Sequence, residues 1–81
     1  MPRIRRGNLP PALLAHLVDR REKWSISYDQ MAAFADWLET DPEVPNGKWF
    51  KHFAGFCVCG QGELIKTFLP KGRLPEGVEV F

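Results

Sequence analysis

Residues 48–69 read KWFKHFAGFCVCGQGELIKTFL, and this run decides the fold class. It is dense in aromatic and β-branched residues, which favour the half-buried surface of a pleated strand. Gly60-Gln61-Gly62 separates two apolar runs and reads as a three-residue hairpin connection. Ala54-Gly55 interrupts the first run and reads as a bulge or bend within one strand. Further turns are marked by PKG and LPEG, and VEVF at the C-terminus makes a short last strand.

Upstream, the pattern changes from strand to helix. Asn8 is a candidate N-cap, with Pro10 or Pro11 in the first turn, where a missing N–H costs nothing. Leu13, Leu14, Leu17 and Val18 then recur at helical spacing. Asp19 and Lys23 form a favourable i, i+4 pair, and Arg20, Arg21 and Lys23 suit the negative end of the dipole. A second helix is announced by a capping box, Ser27 with Gln30, and a hydrophobic staple, Ile26 with Met31. Its wheel places Tyr28, Met31, Phe34, Ala35 and Leu38 toward the core, Asp29, Asp36 and Glu39 on a second face, and Trp37 on a third. Pro42 stops it near Thr40, and DPEVPNG is a loop. The expected fold is therefore α+β: two N-terminal helices packed on a small three-stranded antiparallel sheet, in the order ααβββ. Residues 1–8 read as a flexible basic arm and residues 9–81 as a single small domain.

The net charge of +1 gives no general attraction to nucleic acid or membrane, but the charges come in blocks. Residues 1–24 hold six bases and two acids, residues 25–47 five acids and no base, and residues 48–81 five bases and three acids. No run approaches the length of about 20 apolar residues that spans a membrane. The N-terminus makes a poor signal peptide, and two cysteines are too few for a secreted disulfide scaffold, so a cytoplasmic protein is expected.

Chemistry is sparse. Cys57 and Cys59 share a strand face, but a structural zinc needs four ligands at other spacings, and no complete set exists in one chain. A metal shared between two chains is the one metal reading kept open. Strict alternation puts His52, the nearest base in sequence, on the face away from the cysteines unless a bulge at Gly55 reverses it. The glycines lack the third glycine and following helix of a phosphate loop, so tight-turn φ values explain them better. The second helix carries no base and would repel phosphates as a recognition helix. No acid–base pair stands at a diagnostic spacing, so no enzyme and no cofactor are expected.

The favoured function is a small non-catalytic interaction module, a regulator or inhibitor that presents acids to a basic protein partner. Its candidate residues are Asp29, Asp36 and Glu39 beside Trp37, with Trp49 on an exposed aromatic strand. A nucleic-acid binder is the alternative, using Arg3, Arg5, Arg6, Arg20, Arg21, Lys23, Lys48 and Lys51 with neighbouring aromatics. A zinc-bridged homodimer is the third reading. For each feature the plainer account is a solvated face or ordinary core.

Overall fold

In the computed structural model, which describes residues 2–81, helix α2 (Tyr28–Glu39) starts where its local signals put it. The Gln30 N–H donates to Ser27 Oγ over 3.1 Å and the Ser27 N–H donates to Gln30 Oε1 over 2.7 Å, so the cap is reciprocal. Ile26 is buried and Met31 packs on the same core, completing the staple. Gln30 does a second job, because its Nε2 donates to Ala54 O over 2.8 Å and ties the helix start to the sheet. Gln30→Ala is therefore expected to cost about 1–2 kcal/mol in urea unfolding. Gln30→Glu keeps the cap acceptor but loses the donor to Ala54, and should recover only part of that loss.

Helix α1 (Pro11–Lys23) has proline at its first position, and its N-cap is Pro10, with no side-chain cap. Asn8 stands outside the helix at φ 56°. Trp24 closes the helix and its Nε1 donates to Phe68 O over 3.0 Å. The expected Asp19–Lys23 pair is not formed: Asp19 meets Arg20 at 2.8 Å, and Lys23 lies 5.0 Å over the Trp24 ring. Leu17 packs on the core, whereas Leu14 and Val18 remain largely exposed.

Strands β1 (Lys48–Phe53), β2 (Phe56–Gln61), β3 (Leu64–Pro70) and β4 (Val78–Glu79) form one sheet in the order β3-β2-β1-β4. The class is α+β as expected, with four strands in place of three. The β1–β2 and β2–β3 pairs are antiparallel, but β4 runs parallel to β1, so the sheet is mixed. What reads as one bent strand is a hairpin, since Phe53 pairs with Phe56 around Ala54-Gly55. The next turn is Gly62-Glu63, because Gln61 pairs with Leu64. Gly62 takes a positive φ of 55° there.

Gly60 has a different reason to be glycine. It pairs with Trp49 across the strands, and a Cβ added there would lie 2.2 Å from the indole ring. Trp49 is wholly buried against this bare backbone, and its Nε1 donates to Gly62 O over 3.0 Å. The β2–β3 register shifts between Cys59 and Gly60, which leaves Lys66 as the extra residue of a bulge.

Register and alternation sort the sheet into two faces. Trp49, Phe53, Phe56, Val58 and Phe68 share the face under the helices and build the core with Phe34, Val44 and Ile65. Phe34 lies 5.7 Å from Phe68 and 5.9 Å from Phe53, edge to face, a geometry worth about 0.5–1.5 kcal/mol per pair.

Two expectations are corrected by this packing. The core face of α2 is turned from the expected one: Phe34, Met31, Leu38 and Trp37 point inward, while Tyr28 is 81% exposed and Ala35 is exposed. The sheet supplies aromatic partners on the Trp37 side, with Trp49 and Phe53 each 5.9 Å away, and none for a first-turn tyrosine. The basic N-terminal segment also lies along the body. Ile4 is buried, the Val44 N–H donates to Pro2 O, and the Arg5 N–H donates to Glu63 O. Its arginines face solvent, but the apolar side chain between them is core. No helix among the described residues is long and apolar enough to cross a membrane.

Candidate functional site

Two surfaces present chemistry. The first is the solvent face of α2. Asp29, Ala32, Asp36 and Glu39 follow one another around this face at helical spacing, with Tyr28 at its start. Asp29, Asp36 and Glu39 are exposed, as their positions on the wheel require. Neither Asp29 nor Asp36 forms an ion pair among the described residues. Glu39 meets Arg6 at 3.4 Å on the open surface, where such a pair adds little stability. Trp37, expected beside these acids as an anchor, is half-buried against Phe34 and Trp49 and covered by the Lys51 ammonium at 5.4 Å. Trp49, expected on an exposed strand face, is fully buried and closed to any partner. The exposed aromatic of α2 is Tyr28, which the wheel assigns to the core.

The bases expected for nucleic acid are mostly occupied within the chain. Arg3 meets Asp41 and Glu43, Arg5 meets Glu63, Arg6 meets Glu39, Arg20 meets Asp19, and Lys48 meets Glu76. Lys23 and Lys51 lie over aromatic rings, which leaves Arg21. The negative block at residues 25–47 thus receives two arginines of the positive N-terminal block, Arg3 at Asp41 and Glu43 and Arg6 at Glu39.

The second surface is the sheet face away from the core. Register brings Phe50, Cys59 and Thr67 into one row and His52, Cys57 and Leu69 into the next. The Ala54-Gly55 hairpin is what moves His52 onto the cysteine face. A groove of about 350 Å³ opens here, lined by Lys48, Cys59, Lys66, Thr67, Leu74 and Glu76 among others. Both cysteines are free, Cys57 buried and Cys59 partly so. The Cys57 thiol beside Cys59 favours the Cys59 thiolate and holds its pKa below the ordinary thiol value, against an opposing effect of burial. Cys57 itself is pushed far up, first by that neighbour and then by burial. Sequence reading places both thiols on one face but has no way to find the groove, whose walls come from β1, β3 and residues 74–76.

No cluster of three or more His, Cys, Asp or Glu side chains among the described residues is arranged to hold a metal. Cys57 is 2% exposed and Cys59 is partly buried. Compared with known proteins, the chain matches no family model, no curated protein and no solved structure.

Proposed function

We propose that the chain is a non-catalytic interaction module that binds a basic protein through the solvent face of α2. The observation that carries this reading is the pair Asp29 and Asp36. They stand exposed on one helix face beside exposed Tyr28, and no cation among the described residues pairs with either. Two carboxylates steer a positively charged partner and select against a negative one. Tyr28 adds an amphipathic ring of the kind enriched where interfaces concentrate their energy. The N-terminal arginines lend support by their absence from the open field, since they are paired with Asp41, Glu43, Glu63 and Glu39. A cytoplasmic setting belongs to the same proposal, because two unbridged cysteines suit a reducing compartment.

The test is affinity capture from nuclease-treated native lysate with the wild type, Asp29→Lys/Asp36→Lys and Tyr28→Ala. The helix face is exposed, so stability should change by less than about 0.5 kcal/mol per site. A basic protein held by the wild type is expected to be lost from the charge-reversed variant and weakened by Tyr28→Ala. Retention of the same protein by the reversed variant would reject the α2 face. Capture that disappears on nuclease treatment would favour nucleic acid instead.

A further inference from the structure

We propose that Cys59 is a thiol–disulfide exchange site for small disulfides whose two halves carry carboxylates, recognised by Lys48 and Lys66. Cys59 lines the groove of about 350 Å³, with Thr67 opposite it in the register of β2 and β3. That volume lies within the range of about 300–1,000 Å³ typical of small-molecule sites. Lys48 enters from β1, Lys66 from the bulge of β3, and Glu76 from the loop before β4. Lys48 is held by Glu76 at 3.0 Å, and Lys66 has no ion pair among the described residues. An incoming carboxylate can therefore meet Lys66 directly and displace Glu76 from Lys48.

The thiol is prepared for the reaction by its neighbour. Cys57 lies on the same face, too buried to react, and its presence stabilises the Cys59 thiolate. The other charged or titratable groups around the pair are Lys48, Lys66 and Glu76 in the groove, His16 of α1, whose Nε2 lies 3.0 Å from Thr67 Oγ1, His52 opposite Cys57, and Glu79 of β4, whose charge acts on Cys57. In the exchange, the Cys59 thiolate attacks one sulfur of the incoming disulfide. The new Sγ–S bond forms as the old S–S bond breaks. The leaving half departs as a thiolate with the bonding pair and takes a proton from water, so one disulfide is consumed and one is made. Cys57 does not resolve the adduct, because residues i and i+2 of an extended strand stand roughly 6.6–7 Å apart, at the limit for a disulfide. The product is a stable mixed disulfide that fills the groove.

Oxidised glutathione is the probe. Incubated with it at pH 7 and read by intact-mass spectrometry, the purified protein is expected to gain one glutathionyl group per chain, and Cys59→Ser none. Lys66→Glu should slow the reaction by about two- to five-fold, and Glu76→Gln should speed it by a similar factor, the scale of single surface charge pairs. Neither substitution should change the rate with neutral bis(2-hydroxyethyl) disulfide. If Cys59→Ser does not fold, peptide mapping of the wild-type adduct reads the site directly. A glutathionyl group on Cys57, an internal Cys57–Cys59 disulfide, or no adduct at all would overturn the proposal. So would charge variants that treat the two reagents alike. None of these outcomes bears on the α2 face.

Discussion

Trp49→Ala is expected to remove most of the stability of this domain. Large-to-small changes at buried aromatic positions cost about 3–5 kcal/mol. A chain of 81 residues, at 0.05–0.15 kcal/mol per residue, has only about 4–12 kcal/mol to lose. Trp49 is wholly buried, meets Trp37 at 5.9 Å and donates to Gly62 O, so its removal empties the centre of the sheet and orphans a turn carbonyl. Gly60 is the other half of the same contact. Gly60→Ala sets a methyl group 2.2 Å from the indole and is expected to cost about 1–3 kcal/mol by overpacking. The two effects should couple. In a Trp49→Leu background the cost of Gly60→Ala should fall, giving an interaction energy of about 0.5–3 kcal/mol in a double-mutant cycle by urea unfolding. Strict additivity would mean that the ring does not require the bare backbone.

The second large effect lies at the N-terminus. Ile4→Ala is expected to cost about 2–5 kcal/mol, the range for truncating a buried branched side chain. Ile4 is 7% exposed and belongs to the same cluster as Val44, Trp49 and Phe34. Removing residues 1–6 should be worse, because the backbone bonds Val44–Pro2 and Arg5–Glu63 go with it. For a domain of this size each kcal/mol lowers Tm by about 4–8 °C, so thermal unfolding reads the loss directly. Arg3→Ala and Arg6→Ala break exposed pairs and should each cost less than about 1 kcal/mol. A truncated chain that melts with the wild type would restore the reading of a free basic arm. The contrast also warns that weaker nucleic-acid binding after truncation would report unfolding as readily as lost phosphate contacts.

The candidate site was partly legible, and the reasons differ by residue. Asp29, Asp36 and Glu39 are read correctly as a solvent face because a helix imposes its own 3.6-residue period on its surface. Which aromatic stands beside them was not legible. Tyr28 and Trp37 are both amphipathic, and the choice was made by Trp49 and Phe53 on β1, which take Trp37 into the core. The two thiols share a face by strand alternation alone. Their difference, one buried and one open to a groove between two lysines, depends on the bulge at Lys66 and on residues 74–76 lying near β1 and β3.

By itself the sequence determined whatever a few neighbouring residues can settle. Ser27 and Gln30 start α2 because a cap is satisfied within four residues. Aromatic and β-branched runs after Lys48 make strands because their side chains suit a pleat, and two helices before them make the class α+β. Tertiary structure decided the rest, since each remaining choice needed a partner far along the chain. Gly60 looked like turn glycine until Trp49 was laid across it, which moved the turn to Gly62-Glu63 and made a hairpin of Ala54-Gly55. Val78-Glu79 pairs in parallel with the edge of β1 that β2 leaves free, a partner about 30 residues away. Ile4, flanked by arginines, had no local reason to be buried. The free energy of its burial comes from the cluster around Val44 and Trp49, which exists only when the chain has closed.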